Sequence, residues 1–347
     1  MDGEMSITAV PGVKVGHFTD LTALTGVTVV LLEAGAVAGV DVRGSAPGTR
    51  ETDLLKPTNL VPKVQAVMLA GGSAPGLDAA AGVVRYLKER GIGYDTGVAK
   101  IPIVPAAILF DLAVGEVKHP DAEMGYQACL AAGPGPVLEG NVGAGTGATV
   151  GKLLGINQAT KSGVGTWAEK WGDLIVGALA VVNAFGDVFD WKTGRMLAGL
   201  RSPENGKLVP TMEYLRSMSL TAFRDKMAQR RPDWKQGWGQ STTLAVVATN
   251  AALSKTEITK VAQMAHDGLA RAINPVHTMF DGDAVFALSV ADPELHGGQP
   301  SNAGPVPGGA DVSVVGALAA EVVGRAIVRA VEAAEPAGGI PAASQLA

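Results

Sequence analysis

The sequence predicts a single mixed α/β domain, and three observations support that prediction. The first half alternates short β-branched runs, at 27–32 and 66–70, with helical spacing at 77–87. Two longer apolar runs, at 174–183 and 242–249, are typical of core strands. No internal repeat or clear linker divides the 347 residues, a length that one large domain can accommodate.

The elements of the first half each have a local reason in the sequence. The run 66–70 leads into a turn at Gly71-Gly72-Ser73, after which apolar residues recur with helical spacing. The segment 101–112 is apolar but contains two prolines, which predicts a buried loop or an edge strand. Residues 134–151 are rich in glycine and predict a loop.

The second half is predicted to place a basic loop before a core strand. Residues 191–240 are rich in Lys and Arg, which is typical of a solvated loop, and a short helix is expected near 211–229. The tail after Pro336 is expected to fray. The other predicted elements are a helix that begins with the capping box Ser254–Glu257, a strand over 284–290 and a helix over 312–334.

Composition and charge exclude several classes of protein. Hydrophobic residues make up 47% and charged residues 18%, which fits a globular core rather than a disordered chain. The net charge of -5 gives no indication of a nucleic-acid surface. No apolar run is long enough for a membrane span, and the acidic start differs from a signal peptide. We therefore expect a cytoplasmic protein that binds neither nucleic acid nor membranes.

The sequence also lacks the common cofactor and metal motifs. Cys129 is the only cysteine, and the five histidines are scattered without metal-ligand spacing. A Walker A loop fails at Thr146 and Leu153, where Gly and Ser or Thr are required. The dinucleotide pattern fails as well, because Ala148 or Val150 stands at its last glycine. We expect no cofactor and no metal.

The turn Gly71-Gly72-Ser73-Ala74-Pro75 nearly matches the serine elbow G-x-S-x-G, except at Pro75. Because a strand precedes the turn and a helix follows it, an α/β-hydrolase-type esterase with Ser73 as nucleophile is one alternative. A tight backbone turn is another. A third is a set of backbone N–H groups at a helix N-terminus, suited to a carbonyl or carboxylate.

Five further polar residues are ordinary when each is considered alone. Asp281 and Asp283 flank a glycine as in many turns, and they lack the other ligands of a calcium loop. A lone lysine such as Lys152 usually lies on the protein surface, and a lone asparagine such as Asn183 usually lies in a turn. A threonine at the start of a strand, as at Thr242, is common. If the bond before Thr242 were cut, however, its α-amine would lie beside its own hydroxyl, which is a recognised way to activate a nucleophile.

Six stretches of the chain match a known family when they are taken together. They are 12–17, 25–30, 42–53, 69–74, 140–148 and 277–283, the last reading His-Thr-Met-Phe-Asp-Gly-Asp. In these stretches the chain resembles the DmpA-type aminopeptidases, which include β-peptidyl aminopeptidases and endo-type nylon-oligomer hydrolases. The resemblance covers about residues 8–332. It implies a four-layer αββα sandwich of the N-terminal-nucleophile type, like that of ornithine acetyltransferase, in a precursor that cuts itself.

The resemblance implies where the cut falls. Counting back from Thr249 places the family's nucleophile on Thr242, so cleavage would give a large chain, 1–241, and a small chain, 242–347. The family usually has Asn or Gly before the nucleophile, and this chain has Ser241. If the register slipped by one residue, Ser241 itself would be the nucleophile.

The resemblance also implies the other site residues. The family's active-site asparagine maps to Asn183. The acidic pair of the nylon-hydrolase branch maps to Asp281 and Asp283, and its lysine maps to Lys152. The aminopeptidase branch has different residues at these places, so the chain leans towards the nylon-hydrolase branch. Backbone groups that hold the substrate or its oxyanion are expected in the loops at Gly71, Gly72, Ser73 and Gly145.

The function implied is hydrolysis of amide bonds in short peptides or linear amide oligomers through a Thr242 acyl-enzyme. The acidic pair would orient the nucleophile, Lys152 would lower the pKa of the new amine, and Asn183 would donate to the oxyanion. A homo-oligomer, a tetramer of cleaved heterodimers, is expected from the resemblance. An amino-acid N-acyltransferase with the same nucleophile and a non-enzymatic scaffold remain alternatives.

Overall fold

The computed structural model describes residues 5–221, 225, 241–291 and 311–346. The helices named below are α1 (Ala79–Glu89), α2 (Ala122–Leu130), α3 (Thr211–Ser217), α4 (Lys255–Ala272) and α5 (Val312–Glu332). Among the described helices, none is both long enough and apolar enough to cross a membrane.

The strands follow one another in chain order. They are β1 (Lys14–Asp20), β2 (Thr25–Val42), β3 (Thr49–Arg50), β4 (Lys63–Ala70), β5 (Tyr94–Asp95), β6 (Lys100–Ile101), β7 (Ala106–Ile108), β8 (Thr149–Val150), β9 (Thr160–Lys161), β10 (Val164–Trp171), β11 (Leu174–Asn183), β12 (Asp187–Asp190), β13 (Arg195–Ala198), β14 (Thr242–Thr249), β15 (Ile273–Asn274) and β16 (Ala284–Ser289).

The main sheet has the strand order β10-β11-β14-β16-β2-β4-β7-β3, with β1 beside β2. The pairs β14–β16 and β4–β7 are parallel, and the other pairs are antiparallel. The 18-residue strand β2 belongs to both halves of this sheet. Its residues 27–31 pair with β4, and its residues 37–42 pair with β16, with a register shift in between.

Three hydrophobic cores arrange these elements in four layers. Helices α4 and α5 pack against one face of β11, β14 and β16, through residues such as Val247 and Val285. The opposite face of the same strands, including Phe286, packs against β2 and β4 in a central core. Helices α1 and α2 cover the outer face of β2 and β4 around Met68. The four-layer αββα sandwich is therefore confirmed.

Several predicted elements have the expected bounds, and one expectation was wrong. Strands β11 and β14 begin and end as predicted, and the capping box at the start of α4 is present. The segment 101–112 is mostly a buried loop, one of its two predicted alternatives, and its strand β7 lies between β4 and β3 rather than at an edge. The tail is not frayed, because Ala337 bridges Ile340 and Ala342 is buried. Helix α3 matches the start of the predicted 211–229 helix, and most of the remainder lies outside the described residues.

Candidate active site

Thr242 is the first residue of β14 and pairs in register with Asn183, the last residue of β11. Both strands are buried on their two faces, so Thr242 is only 4% exposed and Asn183 is fully buried. The Thr242 hydroxyl donates a 2.6 Å hydrogen bond to the carbonyl oxygen of Ser241, the residue before it. The hydroxyl thus lies against the carbonyl group that self-cleavage would attack.

The loop that precedes β16 holds Ser241 from the other side. Since β14 and β16 run parallel, Ser241 forms a parallel β-bridge with Asp281. The Ser241 N–H donates to the Phe280 carbonyl at 2.9 Å, and the Gly282 N–H donates to the Ser241 carbonyl at 2.8 Å. Two donors therefore polarise the Ser241 carbonyl, and the Gly282 N–H lies at a distance suited to stabilise an oxyanion.

The acidic pair fixes the main chain around Thr242. Asp281 accepts hydrogen bonds from the Phe185 N–H at 3.0 Å and from the Thr278 hydroxyl at 2.6 Å. Asp283 accepts one from the Thr243 N–H at 2.6 Å and one from Nδ1 of His277 at 2.7 Å. All four carboxylate oxygens therefore have protein donors. The structure shows no hydrogen bond between either carboxylate and the Thr242 hydroxyl, which they were expected to orient directly.

Burial changes the ionisation of the acid and the lysine in this site. The pKa of Asp281 is raised because its carboxylate is desolvated and lies near that of Asp283. Burial also lowers the pKa of Lys152 to about 7, although the carboxylates of Asp281, Asp111 and Asp283 oppose the shift. Burial therefore favours the neutral amine of Lys152 relative to that of an exposed lysine. A surface position, typical of a lone lysine, is excluded.

Asn183 connects this lysine to the start of β14. Nζ of Lys152 donates to the main-chain carbonyl of Asn183 at 2.9 Å and to its Oδ1 at 2.6 Å. The same Oδ1 accepts from the Thr149 N–H, and Nδ2 donates to the Phe110 carbonyl at 2.9 Å. Asn183 thereby places the amine of Lys152 beside the strand end that carries Thr242. Within the described residues, Nδ2 of Asn183 donates one hydrogen bond, which leaves its second hydrogen available.

The glycine turns do not present the backbone donors that were expected. The N–H groups of Gly71 and Ser73 donate to the carbonyls of Gly26 and Leu109, and that of Gly145 donates to Val142. The Gly72 N–H donates to Asp111 at 2.7 Å. All four N–H groups are thus bonded within the protein, so the part that these two loops take in holding the substrate or its oxyanion stays a prediction.

Ser73 does have the strained backbone of a sharp turn, with φ at 58°. Its hydroxyl has no hydrogen bond to an acid or a histidine in the described residues. An elbow serine needs a base within reach to become a nucleophile. The strained turn alone therefore does not support the esterase alternative.

Three side chains of the site area were not singled out from the sequence. His277 and Thr278 are the donors to the acidic pair, and Asp111 lies close enough to influence the charge of Lys152. His277 and Thr278 fall in one of the six matching stretches, which was a usable signal. Asp111 had none, because it follows an apolar segment without a motif. No cluster of three or more His, Cys, Asp or Glu side chains suited to a metal occurs in the described part of the chain.

The fold of the chain is similar to that of N-terminal-nucleophile hydrolases. A β-aminopeptidase of Burkholderia sp. superposes on 98% of this chain and 92% of its own, with a TM-score of 0.67 and 23% identity. An L-aminopeptidase D-Ala-esterase/amidase of Ochrobactrum anthropi, described as a variant of that fold, matches 97% of this chain and 88% of its own. Its TM-score is 0.68 at 22% identity, and at such identities the similarity concerns the fold.

The sequence then identifies the family. Residues 5–344 match Peptidase family S58, and the chain belongs to that family. An uncharacterized aminopeptidase of Mycobacterium tuberculosis is 44% identical over 97% of this chain and 96% of its own. A 6-aminohexanoate-oligomer endohydrolase of Kocuria sp. is 30% identical over 92% of this chain and 84% of its own. The protein is therefore an enzyme that hydrolyses amide bonds, as the sequence predicted.

Proposed function

We propose that the chain cuts its own Ser241–Thr242 bond and then hydrolyses substrate amides with Thr242 as an N-terminal nucleophile. The observation that carries this proposal is the contact between the Thr242 hydroxyl and the Ser241 carbonyl, with the Gly282 N–H on the same carbonyl oxygen. The Gly282 contact also belongs to the parallel β-bridge between Ser241 and Asp281, so the hydroxyl contact is the more specific of the two. Attack on a preceding peptide bond needs both a near hydroxyl and a donor for the oxyanion.

Self-cleavage would proceed through an ester. Oγ1 of Thr242 attacks the Ser241 carbonyl carbon, the C–N bond breaks, and the Thr242 nitrogen leaves as an amine. Before the cut that nitrogen is an amide, so another base must take the hydroxyl proton. Neutral Lys152 is suited to this role, directly or through one water molecule, and would return the proton to the departing nitrogen. Water then opens the ester and leaves a carboxylate on Ser241.

In the cut enzyme the Thr242 amine would take over as base. It accepts the hydroxyl proton, Oγ1 attacks the substrate carbonyl, and an acyl-enzyme forms that water hydrolyses. Protonated Lys152 nearby would disfavour a second cation and keep the amine neutral. The Asn183 amide has a hydrogen that can donate to the oxyanion.

The substrates would be amides whose acyl part is small or linear and carries a free amine. The names of the relatives, an uncharacterized aminopeptidase and a 6-aminohexanoate-oligomer endohydrolase, support this class. We also propose a cytoplasmic location and a homo-oligomer of cut heterodimers, with chains 1–241 and 242–347 as its two parts. The homo-oligomer rests on the family resemblance, and a cytoplasmic location fits a sequence with a single cysteine.

Intact mass spectrometry of the purified protein tests the central step. Under denaturing conditions the proposal expects two species whose masses sum to that of the chain plus one water. N-terminal sequencing of the smaller species should read Thr-Thr-Leu-Ala-Val, as residues 242–246 do. A start at Ser241 would move the nucleophile by one residue. A single uncut chain with full amidase activity would contradict the mechanism.

A further inference from the structure

Two histidine rings in contact connect the acidic pair of the site to helix α4. Nδ1 of His277 donates to the carboxylate of Asp283 at 2.7 Å. The ring of His277 packs edge-to-face against that of His266, with the ring centroids 4.9 Å apart and the planes at 72°. His266 lies on the buried face of α4, and its side chain has no exposed surface. The helical layer therefore reaches the acidic pair through these two rings.

The end of strand β2 holds His266 in place. Nε2 of His266 lies 3.0 Å from the main-chain carbonyl oxygen of Asp41, and because a carbonyl oxygen only accepts, this nitrogen carries the hydrogen. The Asp41 carboxylate is paired with Arg43, whose guanidinium also donates to the Gln263 carbonyl on α4. Burial lowers the pKa of His266 to about 4, so the ring is uncharged at neutral pH. His266 is thus a neutral ring with one anchored nitrogen.

The plane of the His277 ring depends on this neighbour. Its Nδ1 bonds Asp283, whereas its Nε2 is buried without a partner in the described part of the chain. One side-chain hydrogen bond leaves the ring able to turn about that bond, and the edge-to-face contact with His266 restricts the turn. Asp283 in turn accepts from the Thr243 N–H at 2.6 Å, and Thr243 follows the nucleophile. The contact at His266 therefore bears on the main chain beside Thr242.

We propose that His266 is a positioning residue for the hydrolase reaction: it holds His277 in the orientation that keeps Asp283 bonded beside the nucleophile. This inference rests on the proposed function and extends its site into the helical layer. The nitrogens of His266 bond Asp41 or have no partner within the described residues, so its effect on the nucleophile is indirect. Loss of such a residue lowers kcat and leaves KM nearly unchanged, because the groups that bind the substrate stay in place.

Three substitutions of His266 separate the ring contact from the bond to Asp41. The probes are L-alanyl and 6-aminohexanoyl p-nitroanilide, and kcat is expressed per cut chain, counted on denaturing gels. His266→Leu removes the ring and should lower kcat by about tenfold with little change in KM. His266→Gln, which keeps a donor for Asp41 but has no ring, should lose as much and replaces His266→Leu if that variant does not fold. His266→Phe keeps a ring against His277 and should recover most of the loss.

His17 provides a matched control for the substitution of a buried histidine. Burial lowers its pKa to about 4 as well, and its Nε2 is also buried without a partner among the described residues. Its Nδ1 bonds Thr28 on β2 rather than a residue of the acidic pair. His17→Leu should therefore leave kcat of the folded, cut protein within about twofold of wild type.

A double-mutant cycle distinguishes an effect through His277 from a general effect on the fold. In a His277→Ala background, His266→Leu should lower kcat no further, because the ring it acts on is absent. NMR gives a second reading, the hydrogen-bonded Nδ1 proton of His277, assigned by its absence in His277→Ala. That proton should exchange faster with water in His266→Leu and keep its wild-type rate in His266→Phe.

The outcomes separate this inference from the proposed function. A wild-type kcat in both His266→Leu and His266→Gln would overturn the positioning role while the nucleophile stands. The same fractional loss with and without His277, or a loss confined to KM, would also overturn it. Cut wild-type protein that hydrolysed neither anilide would contradict the proposed function, and the role of His266 with it.

Discussion

Two clusters of polar groups in this chain contain similar side chains but use them differently. The Thr242 cluster consists of Thr242, Lys152, Asn183, Asp281 and Asp283, and the Ser73 cluster consists of Ser73, Thr25, Asp111 and Lys161. Burial lowers the pKa of Lys152 and of Lys161 to about 7 in both places. It also raises the pKa of Asp281, and that of Asp111 to about 6. Shifted ionisation therefore does not by itself distinguish a reactive site from a structural one.

The partners of each lysine make the difference. Nζ of Lys161 donates to the main-chain carbonyls of Ala148 and Ser162 at 2.8 and 2.7 Å, so it holds the glycine-rich loop together. Asp111 likewise accepts from the Thr25 hydroxyl and the Gly72 N–H. In the Thr242 cluster the lysine instead meets the strand end where a hydroxyl lies against a carbonyl. A buried lysine indicates chemistry only when a nucleophile and its target lie beside it.

Replacement of the two hydroxyls should give the largest difference between the clusters. Thr242→Ala removes the attacking oxygen, so the chain should stay uncut and lose amidase activity by about 10⁴-fold or more. Ser73→Ala should be cut and active, because Ser73 contacts no base. Denaturing gels and anilide hydrolysis measure both effects. An inactive, uncut Ser73→Ala protein would reverse the assignment.

The two lysines form the next matched pair. Lys152→Met should slow self-cleavage by about 10²–10⁴-fold, since the base is lost, and should also lower the melting temperature, because the Asn183 oxygens lose a buried donor. Lys161→Met should lower the melting temperature, because carbonyls lose their buried donor, and the folded fraction should still cut itself. Calorimetry and cleavage rates on the same preparations separate the two effects. Equal cleavage rates for both variants would remove Lys152 from the mechanism.

Substitution of the aspartates should also distinguish the two clusters, with smaller effects on activity than substitution of the lysines. Asp281→Asn and Asp283→Asn each place an amide NH2 against protein donors beside Thr242, and each should lower activity by about 10²-fold. Asp111→Asn should reduce the free energy of unfolding by about 1–3 kcal/mol and, because it affects Thr242 only through the pKa of Lys152, change the cleavage rate of folded protein by less than about tenfold. Urea titration measures the free energy of unfolding, and cleavage assays measure the rate. Near-normal activity in both Asp281→Asn and Asp283→Asn would refute the predicted difference between the clusters.

The pH dependence of self-cleavage follows from the pKa of Lys152. The cationic form predominates below about 7 and cannot accept the hydroxyl proton. Below that value the cleavage rate should rise about tenfold per pH unit, and above it the rate should level off. Refolding uncut protein at a series of pH values and quenching into denaturant gives the profile. A rate that is constant from about pH 5 to 8 would exclude Lys152 as the base.

His277 should have the smallest effect, because it acts through Asp283. His277→Ala removes the Nδ1 donor and should reduce kcat by about tenfold with little change in KM. The backbone φ of His277 is 53°, which asparagine tolerates better than alanine. His277→Asn supplies a donor as well, so it should recover part of the loss. If the two variants were equally impaired, the hydrogen bond to Asp283 would not be the cause.

Sequence patterns predicted the strands of the site better than the contacts between them. Strands β11 and β14 have buried residues on both faces, so each reads as an unbroken apolar run with clear ends. Strand β2 continues ten residues past the predicted end at Leu32. The prediction stopped there because Glu33 and Gly35 interrupt the apolar pattern, at the place where the register shifts. The contact of Ser241 with Asp281 and Gly282 depends on the parallel pairing of β14 with β16, which no local pattern encodes.

The residues predicted from the resemblance lie close together in the structure, but some of them do not make the contacts that were expected. Lys152, Asn183, Asp281 and Asp283 surround Thr242 as a group. The glycine turns were assigned from their strand-turn-helix context, which does not reveal whether a backbone N–H already has an acceptor. That information lies in residues distant in sequence, such as Asp111 for Gly72.

The strand order would affect how the cut protein unfolds and refolds. Strands β14 and β16 lie between β11 and β2, so the proposed cut before Thr242 would give a split protein in which two strands of the small chain lie between strands of the large one. Separating them would expose the edges of β11 and β2 and open two cores. Refolding would also change from a unimolecular to a concentration-dependent process. The chain would therefore fold efficiently only before the cut, while its two parts are still covalently joined. The stability of the cut enzyme would be kinetic, set by a high barrier to unfolding rather than by reversible refolding.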